Sequence, residues 1–181
     1  MPHNTQKPVI GFAAYSGTGK TTLLKAIIPL LCGRGIRVGV IKHAHHSFDI
    51  DTPGKDSYEL RMAGALQMLI ASRHREALVV EKPTGSEAQL DQLLEKLDQD
   101  ALDMILVEGF KDEAFAKIEL YREGVGKPPF YPGDADIIAI ATDCELPVAT
   151  HLPVLNINAA DQIVDFLCSR FRLIQIPDVA K

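Results

Sequence analysis

The stretch "AYSGTGKTT" at residues 14–22 carries the residue types that hold phosphate. Against the phosphate-loop pattern G-x-x-x-x-G-K-[ST], Gly19, Lys20 and Thr21 are in place and Ala14 stands where the first glycine is expected. In such a loop the successive amides of Ser16, Gly17, Thr18, Gly19, Lys20 and Thr21 point inward around phosphate oxygens. The start of the following helix adds positive potential. Lys20 reaches the outer phosphates as a point charge. The Thr21 hydroxyl suits Mg²⁺, which takes few protein ligands beside phosphate oxygens and water. Ala14 marks the strand-to-loop turn, where a small side chain fits if φ stays negative. Gly17 and Gly19 keep the freedom where the backbone wraps the ligand; Gly11 lies three residues too early to replace the missing glycine.

A metal-bound phosphate also calls for a carboxylate, and Glu108 is the candidate. It ends the apolar run of "DMILVEG", and open α/β sheets gather ligands at the carboxyl ends of their strands. Asp103 sits at the opposite end of the same run. The segment "KHAHHSFDIDTPGKDS" packs His43, His45, His46, Asp49, Asp51, Lys55 and Asp56 into one loop. Asp49 or Asp51 is expected near the metal or its waters, which makes Thr21, Glu108 and Asp51 the expected metal-side residues. The imidazoles also invite a transition-metal reading, although H-x-H-H in a loop lacks the rigid spacing of a structural site. Nucleotide or substrate contact, metal binding and an ordinary surface loop all stay open for this segment. No residue stands out to position water or to act as an arginine finger, so intrinsic hydrolysis is expected to be slow.

These residues need elements to hold them. "VIGFAA" before the loop reads as a buried strand over residues 9–14, and residues 20–32 as a helix with a broad apolar stripe. Pro29 lies inside that helix and predicts a kink or early end; Gly33 and Gly35 supply the stop. Further strands are expected at 36–43, 103–109, 116–123, 136–143 and 153–158. "DSYE" has the spacing of a capping box and opens a helix to about residue 64. "LQMLIAS" and "EALVVE" read as adjacent strands, 86–97 as an amphipathic helix, and 159–172 as a closing amphipathic helix. Alternating strands and helices predict an α/β fold with a mostly parallel sheet of the P-loop NTPase type and helices on both faces. Residues 66–81 and 116–134 break the alternation and are expected to project as extra strands. The expected organisation is a flexible N-terminus over 1–8 and one P-loop domain over 9–175.

The bulk properties narrow the partners. The chain has 181 residues, 46% of them hydrophobic and 24% charged, the balance of an ordinary globular protein. A net charge of −5 with scattered basic residues disfavours non-specific binding to nucleic acid or anionic membrane. Three widely spaced cysteines give neither a disulfide framework nor a zinc knuckle. No signal peptide or membrane span is read, so a cytoplasmic setting is expected.

"AYSGTGKTTLL", "IKHAHHSFDIDTPGKDSYELRMAGA", "LVEGFK" and "AIATD", in that order, resemble the molybdopterin-guanine dinucleotide biosynthesis protein B (MobB) family along nearly the whole chain. The His/Asp/PGKDS segment is far more specific than the phosphate loop. The resemblance implies a homodimeric P-loop protein that binds GTP with Mg²⁺ and hydrolyses it slowly at most. It implies help to a MobA-type guanylyltransferase that attaches GMP to molybdopterin, a phosphate-bearing compound that the His/Asp segment could equally meet. Gly17, Thr18, Gly19, Lys20, Thr21 and Thr22 match the family's phosphate loop, and Glu108 with Gly109 its metal-side strand. Asp143 is the guanine candidate, because in N-K-x-D motifs the aspartate accepts from the ring N–H and exocyclic amine; here only the aspartate is present, and a helix cap or strand-end turn fits it as well. A small-molecule kinase would need an arginine-rich lid, and the Gly/Pro loop at 124–133 carries only Lys127. A metallochaperone GTPase would use cysteine or histidine ligands, and no cysteine lies near the histidines.

Overall fold

A computed structural model describes residues 5–44, 48–82, 85 and 87–173. The chain falls into two compact units, Met1–His43 with Gln89–Lys181, and Ala44–Ala88. The first unit contains a six-stranded sheet of β1 (Val9–Ala13), β2 (Val38–Lys42), β5 (Met104–Glu108), β6 (Lys117–Tyr121), β7 (Ile137–Thr142) and β8 (Val154–Asn156). Their order is β2-β5-β1-β6-β7-β8, with every neighbouring pair parallel. Parallel strands need crossover connections, which here are helical after β1 and before β5 and otherwise loops or a short 3-10 turn. α1 (Lys20–Gly33) follows β1, α3 (Leu90–Leu94) precedes β5, and α4 (Ala160–Phe171) follows β8.

Strand alternation sorts the core into two faces. Ile10, Phe12, Met104, Leu106, Ile118, Leu120, Ala139 and Ala141 form one buried cluster with Leu23, Leu24, Ile27 and Leu31 of α1 and Ile163, Val164 and Leu167 of α4. On the other face, Leu97 and Leu102 lie over Gly39, and the Phe115 ring lies over Gly11. A Cβ on Gly11 would stand 2.7 Å from that ring and 2.8 Å from Lys117 Cγ. Gly11 therefore serves close packing, not the phosphate loop. α1 runs through Pro29 to Gly33, with Pro29 exposed to solvent. The lost backbone bond faces water, so the expected early end does not occur.

Three expectations are corrected. Residues 117–121 do not project: β6 is an inner strand of the main sheet between β1 and β7. Its charged residues are buried and satisfied. Lys117 Nζ pairs with Asp134 at 2.9 Å and donates to the carbonyls of Lys111 and Glu113 at 3.1 and 2.7 Å. Glu119 accepts from the amides of Phe130 and Tyr131 at 2.8 and 2.7 Å, while burial pushes its carboxyl upward in pKa. The helix expected over 86–97 is confined to Leu90–Leu94, after which Lys96 and Leu97 tighten into i→i−3 bonds; Ser86 lies outside the described residues. The capping box is not formed either. Lys55 takes the N-cap of α2 (Asp56–Met62) without a side-chain bond, so Asp56 and Glu59 occupy the first turn and act on the helix dipole.

The second unit contains α2 and the antiparallel hairpin of β3 (Gln67–Ala71) and β4 (Glu76–Val80), the adjacent strands expected from the sequence. Ser72 closes its turn by accepting from the amides of His74 and Arg75. Leu69 and Leu78 face each other across the hairpin, and at 63% and 58% exposure they leave an apolar face open to solvent. Within this unit Arg61 is buried among carboxylates, 2.6 Å from Asp49, 2.6 Å from Glu81 and 3.8 Å from Asp51. No described helix is long and apolar enough to cross a membrane.

Candidate functional site

The fully buried strand β1 ends at Ala13, and the chain then turns through residues 14–19 into α1. Strand β1 is hydrogen-bonded on both sides, to β5 and to β6, which makes it a fixed platform for the loop. Gly17 and Gly19 adopt φ of 85° and 100°, left-handed values that suit glycine and turn successive amides toward one side. Ala14 is not among the residues with positive φ. The missing first glycine is thus replaced without backbone strain. Thr18 is buried and ties the loop down, its hydroxyl donating to Tyr15 O at 2.9 Å. Ser16, Thr21 and Thr22 are exposed beside it.

Lys20, at the first position of α1, is half-buried, and its Nζ makes one weak hydrogen bond, to Ala14 O at 3.5 Å. Burial lowers its pKa; Glu108 acts against that shift, and the cations of Lys42 and Lys111 add to it. A partly desolvated ammonium with other cations nearby is under-compensated, which is the electrostatic state that favours an incoming anion. Glu108 ends β5, paired in register with Phe12 of β1 and Lys42 of β2. Its Oε2 lies 3.3 Å from Lys42 Nζ, and its backbone carbonyl accepts from His43 N at 2.7 Å.

The turn after Glu108 is tightly set. Gly109 has φ of 106°, and a Cβ there would come within 2.5 Å of His43 Cβ. Phe110 follows with φ of 54° and stacks on the His43 ring at 4.5 Å between centroids. Lys111 then places its ammonium over the rings of Tyr15 and Phe130, which stack on each other at 4.5 Å. Residues from β1, β2 and β5 therefore converge at the carboxyl ends of the parallel strands, with the phosphate loop among them.

An open pocket of about 440 Å³ adjoins the loop, lined by Gly17, Thr18, Gly19 and Thr22 together with Arg122, Ile157 and Asn158. Asp143 follows β7 and is ion-paired with Arg122. Asn158 Nδ2 donates to the same carboxylate oxygen of Asp143 at 3.3 Å. Sequence reasoning missed Arg122 and Asn158. Each is an isolated polar residue after a strand, and strand order alone brings them to the phosphate loop.

The remaining candidates of the His/Asp segment divide. Asp51 belongs to the second unit, where Arg61 faces it and Thr52 N donates to its Oδ1 at 3.0 Å. His43 belongs to the first unit and packs on Phe110. His45 and His46 lie outside the described residues.

Comparison with known proteins agrees with this architecture. The model of the family described as molybdopterin guanine dinucleotide synthesis protein B matches residues 9–143. The chain is 51% identical over 168 residues to a molybdopterin-guanine dinucleotide biosynthesis adapter protein of Escherichia coli, covering 92% of this chain and 95% of that one. A protein of the same description from Haemophilus influenzae is 43% identical over 164 residues, covering 91% and 89%. Among solved structures, a molybdopterin-guanine biosynthesis protein B superposes with a TM-score of 0.69 at 25% identity, covering 90% of this chain and 99% of that one. Bacillus subtilis MobB superposes with a TM-score of 0.70 at 23% identity, covering 91% and 98%. The family match spans the phosphate loop, Glu108 and Asp143 alike, and the chain belongs to the molybdopterin-guanine dinucleotide synthesis protein B family.

Proposed function

We propose that this protein is a GTP-binding adapter that assists synthesis of the molybdopterin-guanine dinucleotide form of the molybdenum cofactor. The observation that carries the nucleotide part is Lys20. A half-buried, under-compensated ammonium sits at the start of a helix, behind a loop bent by two left-handed glycines. That arrangement favours a polyphosphate. Ser16, Gly17, Thr18, Gly19, Lys20, Thr21 and Thr22 form the phosphate contacts. The exposed Thr21 hydroxyl and the Glu108 carboxylate are oxygen donors of the kind Mg²⁺ takes, and the ion would neutralise phosphate charge beside Lys20. The adapter role and the choice of guanine rest on the named relatives. The transferase chemistry belongs to a partner guanylyltransferase, which fits the slow hydrolysis expected of this site; molybdopterin itself is a further candidate ligand. The setting is cytoplasmic.

The same reading makes the protein a homodimer. The hairpin face with Leu69, Leu78 and Val80 exposed is of the apolar kind that a second copy covers.

Calorimetric titration with GTP and with ATP, each with Mg²⁺, tests the reading. GTP is expected to bind more tightly, and Lys20→Ala to weaken binding by on the order of a hundredfold with the unfolding midpoint unchanged. Equal or reversed preference refutes the guanine assignment. Failure of both nucleotides to bind refutes the phosphate loop itself.

A further inference from the structure

Arg122 closes one side of the pocket in a way that phosphate binding does not require. Its guanidinium reaches three acceptors on three separate loops. Nε donates to Thr18 O at 3.2 Å, Nη1 to Asp143 Oδ2, and Nη2 to Asn158 Oδ1 at 3.0 Å. Guanidinium N–H bonds lie in the plane of the group, so these partners grip it by the edge and fix the orientation of that plane. The two faces have no hydrogen-bonding capacity of their own. The side chain nevertheless keeps 35% exposure and lines the pocket. The same pocket is lined by the apolar Leu23, Ala26 and Ile157. Asp143 is not among the residues lining the pocket and holds Arg122 by an ion pair.

We infer that Arg122 is the platform on which the purine ring of the bound nucleotide stacks, its plane locked by Thr18, Asp143 and Asn158. The inference rests on the pocket being a nucleotide site and adds how that site grips the base. A cationic plane suits a purine face, and such stacking is worth on the order of ten- to a hundredfold in affinity. Asp143 is then a positioning residue that acts through Arg122. Because every purine has a π-face, the platform strengthens binding without choosing between guanine and adenine.

Titration calorimetry with GTP, ATP and inorganic tripolyphosphate, each with Mg²⁺, tests this on the full chain and on Arg122→Lys and Asp143→Asn. Lysine keeps the charge and loses the plane. Arg122→Lys is expected to weaken GTP and ATP by the same ten- to hundredfold factor and to leave tripolyphosphate affinity within about twofold. Asparagine keeps an acceptor for Nη1, so Asp143→Asn is expected to leave the GTP-to-ATP ratio within about threefold of the parent. Several results overturn the inference. GTP affinity unchanged in Arg122→Lys removes the platform. Tripolyphosphate falling in step with GTP makes Arg122 a brace for the phosphate loop. A collapsed GTP-to-ATP ratio in either variant makes the cluster an edge reader of guanine. If the parent protein binds neither nucleotide nor tripolyphosphate, the nucleotide site fails and the inference with it, a result distinct from the other three.

Discussion

Replacing Gly109 by alanine tests the turn that aims Glu108 at the phosphate loop. Two separate penalties meet at this position. Gly109 has φ of 106°, where an L side chain is strained by about 1–3 kcal/mol. The new Cβ would also stand 2.5 Å from His43 Cβ, with the His43 backbone at 3.4 Å. Carbon atoms prefer about 3.5–4.0 Å, and His43 cannot swing away, because its amide is bonded to Glu108 O at 2.7 Å. Forced overpacking of this kind costs about 1–3 kcal/mol. The sum is roughly 2–6 kcal/mol, a large part of an ordinary domain's stability. For a chain of this length each kcal/mol lowers Tm by about 2–4 °C, so a fall on the order of 10 °C is expected.

Two companion variants separate the terms. Gly17→Ala meets the strain alone, since φ is 85° and nothing lies within 4 Å of the added atom. Gly11→Ala meets the clash alone, against the Phe115 ring and Lys117 Cγ. Its cost is reduced by the about 0.4–1 kcal/mol that alanine gains over glycine in the unfolded chain. Denaturant midpoints of the three variants should place Gly109→Ala below both others. If Gly109→Ala is no less stable than Gly17→Ala, the close approach of His43 contributes nothing and the account of this turn is wrong. Nucleotide titration adds a second reading, because displacement of Glu108 should weaken Mg²⁺-dependent binding in Gly109→Ala and leave it intact in Gly11→Ala.

Other perturbations are equally direct. Asp103 receives the Arg37 guanidinium at 2.8 and 3.0 Å and the Arg37 amide at 2.8 Å, which hold its pKa down at about 2 against 3.8. A depressed carboxylate stabilises the fold above its unfolded pKa and loses that contribution as pH falls through the folded one. Thermal melts should therefore show a constant deficit for Asp103→Asn at neutral pH that shrinks between about pH 4 and pH 2; a deficit independent of pH would rule out the ion pair as its source. Glu119→Ala strands the part-buried amide of Phe130 and the buried amide of Tyr131 and should cost about 2–4 kcal/mol in urea unfolding. A loss below about 0.5 kcal/mol, the scale of a surface change, would contradict that. Light scattering at micromolar concentration should find a dimer for the parent chain and a monomer for Leu78→Asp, whereas a monomeric parent would refute the hairpin interface.

Much of the part that carries the phosphate loop was legible because its signals are local. A buried strand, a loop with glycines at the wrapping positions and a helix with an apolar stripe occupy one continuous stretch, residues 9–33. Glu108 was legible for a similar reason, as a carboxylate at the end of an uninterrupted apolar strand. Strand β6 was misplaced because "KIELY" alternates charge with hydrophobicity, the pattern of a strand with one wet face. Its charges are satisfied by groups distant in sequence: Asp134 for Lys117, and the amides of residues 130 and 131 for Glu119. Those partners lie 11 to 17 residues on, outside the strand's own two-residue alternation. Arg122 escaped notice on the same grounds, since its three partners lie 21 to 104 residues away, at Thr18, Asp143 and Asn158, and only the sheet order gathers them. Helix α3 was overestimated because an amphipathic pattern records burial of Leu90 and Leu94 without recording that the chain tightens after them.

The strand order has a consequence for how the protein comes off the ribosome. β1 and β2 are consecutive in the chain but not neighbours in the sheet; β5 is inserted between them, and β6 closes the other side of β1. The platform beneath the phosphate loop therefore has no hydrogen-bonded flank until residue 108 has emerged, and lacks its second flank until residue 121. At about 5–20 residues per second, the roughly one hundred residues between β1 and the end of β6 take on the order of ten seconds to synthesise. During that interval β1 is an apolar strand with first both edges and then one edge open, vulnerable to mispairing. The loop that follows β1 therefore has no completed platform until two-thirds of the chain exists.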